Sequence, residues 1–510
     1  LHLSLRRQRQ MCIRDRNNLM EMKAITHSTT AVVIGIFIAS LVLYIVTLAP
    51  DLLWGGGDFA TFQVRAYLLE IEPGVFGHPL WVLLAHPFTR LPIRNVAWRA
   101  NLASAIFAAL ALVFVFLSAW RLTQSRPASL LATGALAVSH TFWTYAVMPK
   151  VYSLNALLLA ICIYLLLRWR ETKRGWRLYL ALIIYGISQF NHLVMATAAA
   201  GILVYIAIVM WQERGSVQIR RQPLTAIVIG LLSLAPYAWF LYGTNSAQET
   251  SGTVMRFLGG IGYLVTTPKA LALGLGWGLS LLLYQFPLTT PIGFAGLYHL
   301  WKKRRQESWL LLLIVGGDLA FLLAAVDPQT GGDYVWNLHY YLQAYVVFAL
   351  WIAAGLTWTW SRWLTSHRLR QIIAVALALL LPIVVYAAAP VIACTGVGNV
   401  PGFRPLPGRD NFTYALSPWK CQETGAREFG ERVMESLPEN SIIFADYSIW
   451  AVLRYLQEVE GQRTDVTLVR LPYAGNHAQL PVIQKYQGQG ELFLADTWRC
   501  LLYTSPSPRD

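Results

Sequence analysis

The stretch with the clearest chemical potential runs from Ala49 to Leu80, where Trp54-Gly-Gly-Gly-Asp-Phe59 is followed by Gly77-His-Pro-Leu80. Asp58 stands behind three glycines, just where the chain should leave a bilayer after its first strongly apolar segment. Glycine lets backbone approach a ligand closely, and a carboxylate presented there can take a proton from a nucleophile. The competing reading is structural: Asp58 precedes a helical pattern and would serve as its N-cap, a role worth about 1 kcal/mol. Asn caps as well as Asp but cannot accept the proton, so Asp58→Asn separates the two readings.

The elements that must position this acid are membrane spans. The chain has 510 residues, 56% hydrophobic and only 13% charged, where a soluble protein carries about 25% charge. That composition predicts an all-α polytopic membrane protein and excludes a soluble enzyme. The net charge is +15, and much of it sits in short loops between apolar runs, which signals topology rather than a nucleic-acid partner. Residues 1–16 and 500–510 resemble conceptual translations of a sequencing adapter and are set apart from fold reasoning, with the authentic chain expected to extend further. Of the five cysteines only Cys394 and Cys421 could pair, and none has metal-ligand spacing.

Apolar runs occur at about residues 30–48, 96–120, 128–148, 151–167, 178–190, 193–211, 224–242, 271–300, 309–326, 338–360 and 372–389, which predicts about eleven spans within a domain over 28–390. Basic clusters at 121–126, 168–177, 214–221, 302–305 and 362–370 fall in alternate loops, so all are cytoplasmic if the N-terminus is. The first loop, 50–95, then faces outward with 243–268, 327–337 and the tail from 391. The two spans on either side of Asn191-His192 need a very tight turn. In the first loop Phe59, Phe62, Ala66 and Leu69 recur at helical spacing with Gln63, Arg65 and Glu70 between them, which predicts an interfacial amphipathic helix with Arg65 as a lipid anchor. The loop 243–268 is long enough to close over a substrate. After the last span, strand, helix and strand patterns at 441–446, 448–458 and 465–470 predict a small α/β extracytoplasmic domain over 391–499.

The motif Trp54-Gly-Gly-Gly-Asp-Phe59 with Gly77-His-Pro-Leu80 resembles the first-loop signature Trp-Asp-Ser-Gly-Glu-Phe … Gly-Tyr-Pro-Leu of the protein O-mannosyltransferase-like GT-C family, whose bacterial members include chains catalogued as domain of unknown function 2723. The likeness continues in Trp98-Arg-Ala-Asn-Leu-Ala-Ser104, in Thr141-Phe-Trp-Thr-Tyr-Ala-Val-Met-Pro-Lys-Val-Tyr-Ser-Leu-Asn155 and in Asn191-His-Leu193, with weaker echoes at Asp333-Tyr-Val-Trp336 and Arg463-Thr-Asp-Val466. The departures are specific. Gly55 stands where the family has Asp, so one of two carboxylates remains, as Asp58 in the Glu position. Pro149-Lys150-Val151-Tyr152 replaces Ala-Glu-Val-Tyr, a reversal of charge, and the His-Pro-Pro-Gly run is degraded.

The resemblance implies a GT-C transferase that moves a sugar from a polyprenyl-phosphate carrier to a protein or glycan acceptor on the outer face, in a bacterial inner membrane, with no cofactor or metal beyond the lipid-linked donor. Asp58 would be the general base. Lys150, His192, Arg65 and His78 would meet the lipid phosphate, Tyr152 would line the substrate, and Asp333 would offer the second carboxylate. Lys150 could instead snorkel to the interface. Two rivals come from other classes: an inert member that only binds lipid-linked sugar, suggested by Gly55 and Lys150, and a transporter or flippase, disfavoured because the candidate charges sit in loops rather than in spans.

Overall fold

The computed structural model describes residues 29–55, 58–72, 77–242, 259–260, 262–263, 266–325, 337–359, 368–395, 405–472 and 476–495. Asp333 and most of the expected lid at 243–268 lie outside them. Among the described residues seven helices are long and apolar enough to cross a bilayer: Thr29–Val46, Val96–Thr123, Tyr152–Thr172, Leu193–Gln212, Arg305–Ala324, His339–Thr359 and Arg368–Cys394. Pro268–Gln285 and Thr290–Lys303, which meet at 106°, make an eighth if counted as one crossing. The expected polytopic bundle is therefore present. Of the remaining apolar runs, 224–242 lies in the 20-residue helix Pro223–Tyr242, while the others form short or broken helices.

The run at 128–148 shows why. It splits into Arg126–Ala137 and His140–Ala146, and the backbone groups freed by the break find partners on other helices. The Tyr44 hydroxyl donates to the Ala137 carbonyl at 3.0 Å, the His140 N–H donates to the Tyr386 hydroxyl at 3.0 Å, and the Thr141 N–H donates to the Gln285 side-chain oxygen at 2.7 Å. Inside a bilayer an unsatisfied amide costs several kcal/mol, so irregular backbone survives only where protein supplies such partners. Hydropathy alone does not register this.

Val96–Thr123, Tyr152–Thr172 and His339–Thr359 are apolar all round and mostly buried, which places them at the bundle centre. Thr29–Val46 and Arg368–Cys394 leave most of their apolar surface exposed, as lipid-facing helices do. Thr290–Lys303 and Leu342–Thr359 touch backbone to backbone: a Cβ at Gly296 would lie 1.8 Å from the Trp351 carbonyl oxygen, and one at Gly355 would lie 1.9 Å from that of Ile292. Only glycine allows that approach. The 28-residue helix Val96–Thr123, about 42 Å long, runs from the first loop to a basic end where Arg121, Arg170, Lys173 and Arg304 gather about Glu171, Glu213 and Glu307.

The C-terminal segment forms the expected strand, helix, strand unit. Parallel strands β1 (Ile442–Ala445) and β2 (Thr467–Arg470) are connected by helix Tyr447–Glu458, and a third strand, β3 (Leu492–Ala495), pairs with the other side of β1. β1 is buried at all four positions, as a continuous Ile-Ile-Phe-Ala run in a central parallel strand should be. Cys394 and Cys421 are separate free thiols.

This domain corrects the reading of the first loop. Helix Asp58–Leu68 exists, but Phe59 through Ala66 are all buried, so it is not an interfacial helix and Arg65 is not a lipid anchor. Helix Tyr447–Glu458 covers the side that the sequence pattern assigned to lipid and water. Leu52, Trp54, Ala60 and Val64 of the first loop share one apolar core with Ala426, Ile449, Leu453 and Leu456 of the C-terminal domain. Polar contacts seal the junction: Trp54 Nε1 donates to the Pro407 carbonyl at 2.8 Å, and Arg454 pairs with Glu70 at 2.7 Å. Asp51, only 8% exposed, accepts from Asn95 at 2.6 Å, from the Leu52 N–H at 2.7 Å and from Arg427 Nη2 at 2.8 Å.

Removing Arg427 strands a buried carboxylate. Arg427→Ala is expected to cost about 3 kcal/mol, read as a lower thermal midpoint and faster proteolysis between residues 395 and 425. An unchanged midpoint would show that the apolar core alone holds the domain.

Candidate active site

Lys150 Nζ lies 2.6 Å from Asp58 Oδ2. The lysine side chain is only 13% exposed, while that of Asp58 is 50% exposed, so the pair has one buried and one open member. Asp58 begins helix Asp58–Leu68, yet among the described residues no backbone N–H donates to its carboxylate. The cap role expected as the alternative is not what occupies this side chain. The ammonium also sits 5.1 Å from the Phe59 ring centre and 5.5 Å from that of Phe62, a cation–π environment that favours a positive charge.

The motif Trp98–Ser104 holds this pair. Ser104 Oγ lies 3.4 Å from both the Lys150 N–H and the Lys150 carbonyl oxygen. Asn101 donates to the carbonyls of Ala49 and Asp51 at 3.0 and 3.2 Å and accepts from Gln63 at 3.0 Å, tying the loop entry to helix Asp58–Leu68. Gly55, at the position of the family's first acid, has no room for a side chain: a Cβ there would lie 1.8 Å from the Phe59 ring. The lost carboxylate is thus replaced by an aromatic ring packed on bare backbone.

Beside the pair lies a stack of imidazoles and phenols. His78 and His192 stack with ring centres 5.0 Å apart, Tyr152 lies 5.4 Å from His192 and 4.3 Å from His339, and the Tyr145 hydroxyl is 3.1 Å from His339 Nδ1. His78, left-handed at φ 49°, sits just before Pro79 at the start of helix Pro79–Thr89. Its Nδ1 must donate to the Asn191 carbonyl at 2.7 Å, which leaves Nε2 with the lone pair. His192 is the opposite tautomer: its Nδ1 accepts from the Val194 N–H at 3.0 Å, so Nε2 carries a proton to donate. Burial pushes His78 down to about 4 and His192 well below its ordinary value, with neighbouring cations adding to the shift. Both are neutral at pH 7. The tight turn is held by Asn191, which donates to the Val151 carbonyl at 2.8 Å and to Asn155 at 2.5 Å.

Asp58, Lys150, His78, Tyr152 and His192 are therefore brought together. Arg65 is not: it pairs with Glu72 and lies among Glu70, Tyr447 and Arg454 at the junction with the C-terminal domain. The structure adds His339, Tyr340 and Tyr145, the first two hidden in the sequence because they open a span whose local pattern carries no mark of their partners. Apart from this cluster, Asp318 is fully buried mid-span and hydrogen-bonded by the Thr197 hydroxyl. A lone acid in Gly-Gly-Asp-Leu within an apolar run was the available signal.

Residues 58–215 match the family model described as the Protein O-mannosyl-transferase TMEM260 N-terminal domain. The chain is 24% identical to mouse Protein O-mannosyl-transferase TMEM260, in an alignment covering 93% of this chain and 67% of that protein. It is 25% identical to Dictyostelium discoideum Protein O-mannosyl-transferase tmem260 over 28% of this chain and 18% of the relative. The chain thus spans about two thirds of the mouse relative's length. Among solved structures it is similar to ArnT from Cupriavidus metallidurans bound to undecaprenyl phosphate, with a TM-score of 0.57 and 14% identity, covering 91% of this chain and 93% of that one. The fold is the GT-C membrane fold that the sequence led us to expect, and the relatives' names agree with a glycosyltransferase.

Because His78 is held neutral, the unfolded chain binds more protons than the folded one below pH 6.5. Stability is therefore full above about pH 6.5 and falls as the pH drops toward 4, by on the order of 3 kcal/mol for a shift of this size. Thermal midpoints taken from pH 7 to pH 4 should show a shallower decline in His78→Gln. Parallel declines would mean that His78 does not titrate in the folded protein as its burial requires.

Proposed function

We propose that this chain is an inverting glycosyltransferase that moves a sugar, mannose by the names of its relatives, from a polyprenyl-phosphate donor to an acceptor hydroxyl. The reaction takes place at the end of the bundle opposite the basic loops, which we assign to the extracytoplasmic side. The observation that carries this reading is the 2.6 Å contact between Lys150 and Asp58. A base and a cation held side by side at the rim of a membrane bundle match the two charges that the reaction develops.

In this mechanism the donor phosphate binds Lys150, with His192 Nε2–H as a second donor, and displaces Asp58 from its ion pair. The freed carboxylate takes the proton of the acceptor hydroxyl as the acceptor oxygen attacks the anomeric carbon. The carbon–oxygen bond to phosphate breaks with inversion, and its electron pair goes to the phosphate, whose added charge Lys150 and His192 stabilise. Tyr152 and His339 supply flat apolar faces for the sugar. His78 supports the site from behind rather than touching the phosphate, Arg65 belongs to the junction with the C-terminal domain, and Asp333 remains the proposed second carboxylate. The resting ion pair equally suits a protein that binds lipid-linked sugar without turning it over, so the test must separate binding from transfer.

Purified protein given radiolabelled polyprenyl-phosphate mannose and a Ser/Thr-containing peptide should transfer label. Asp58→Asn should reduce transfer by about 10²-fold or more while still binding the lipid, and Lys150→Ala should weaken lipid binding as well. Lipid binding by the wild type with no transfer to any acceptor would favour the inert binder, and full transfer by Asp58→Asn would remove Asp58 from the mechanism.

A further inference from the structure

At the basic end, far from the proposed active site, a cavity of about 500 Å³ opens between the ends of helices Tyr152–Thr172, Ala199–Gln212, Thr290–Lys303 and Arg305–Ala325. It is lined by Arg170, Gln212, Lys303, Arg304, Arg305 and Gln306, four cations and two amides with no carboxylate. Glu307, 1% exposed, lies just behind the wall. It pairs with Arg170 and, at 3.6 Å, with Arg304. That arrangement fixes two guanidinium groups at the cavity wall without placing a negative charge inside. Among the described residues neither Lys303 nor Arg305 has a carboxylate within ion-pair distance. A retained positive charge in a loop serves topology wherever it stands in that loop. Convergence of four bases on one volume, two of them pinned by a buried acid, is more than topology requires.

The surroundings say what kind of anion fits. Trp211 and Tyr298, 69% and 66% exposed, stand on the helices that frame the cavity. Trp301 and Trp309 pack edge to face at 5.2 Å beside it, and Arg305 lies over the Trp301 ring. Exposed Trp and Tyr mark the depth of the bilayer interface, so the cavity opens at the level where phospholipid headgroups lie. We propose that it is a binding site for the phosphate headgroup of an anionic phospholipid. Arg170 and Arg304 form fixed donors, Lys303 and Arg305 are the adaptable cations, and the amides of Gln212 and Gln306 bond the headgroup hydroxyls. The lipid staples four helix ends, of which only those at Lys303 and Arg305 are joined by a short loop.

The test uses the full chain in detergent, with retained lipid measured by native mass spectrometry against dioleoyl-phosphatidylglycerol and dioleoyl-phosphatidylcholine. Phosphatidylglycerol should bind at least tenfold more tightly than phosphatidylcholine, and Lys303→Ala/Arg305→Ala should remove about that advantage while leaving mannosyl transfer in mixed micelles intact. The single variant Arg305→Gln should fall between the two, which keeps the test readable if the double variant folds poorly. Equal binding of the two lipids, or a double variant that holds phosphatidylglycerol as the wild type does, would overturn the proposal. Full displacement of the lipid by millimolar sn-glycerol 3-phosphate would overturn it in favour of a soluble phosphate ligand.

Discussion

The contact between Lys150 and Asp58 is the constraint around which the rest of the molecule is arranged. A lysine that is seven-eighths covered needs a counter-charge, since desolvating an isolated ammonium is costly. Asp58 supplies it from the one side still open to the outside. The two residues are 92 positions apart and neither lies on a span. Each is placed by an irregular segment: Asp58 by the turn after Trp54, Lys150 by the turn after the broken helix His140–Ala146. Those irregularities exist because polar groups on other helices accept their orphaned backbone bonds. Tyr386 and Gln285 hold the second helix fragment, and Asn101 and Ser104 hold the loop entry and Lys150 itself. The same logic extends outward to the C-terminal domain, whose helix Tyr447–Glu458 closes the first loop from outside.

Much of this was legible in the sequence. Composition and run length are enough for a polytopic helical bundle, because the bilayer demands long apolar segments. The α/β tail is equally plain from Ile442-Ile-Phe-Ala445 followed by an amphipathic helix. The motif residues Asn101, Ser104, Lys150, Tyr152, Asn191 and His192, scattered over about ninety positions of sequence, do converge in space. Sequence could not separate their roles: Asn191 and Asn101 are braces, whereas Lys150 pairs with Asp58 and His192 stacks on His78 beside that pair.

What escaped has a common cause. Arg65 looked like a lipid anchor because periodicity describes a helix in isolation, and nothing local reveals that a segment almost 400 residues later covers its polar side. Nothing in the sequence marks His339 and Tyr340, because their partners, Tyr145 and Tyr152, lie on other helices. The broken run at 128–148 looked like one span because hydropathy counts apolar residues without asking whether backbone bonds close. Gly55 looked like the loss of an acid. In space it is the gap that admits the Phe59 ring, which in turn lies beneath the Lys150 ammonium.

The central claim is that the donor phosphate takes Lys150 and so releases Asp58. A structure determined with a bound polyprenyl phosphate tests it most directly. The account predicts a phosphate oxygen within about 4 Å of Lys150 Nζ, the distance of an ion pair, with the Asp58 carboxylate withdrawn from the lysine and open to an acceptor. A lipid phosphate seated elsewhere, with the Lys150–Asp58 pair still closed, would contradict it.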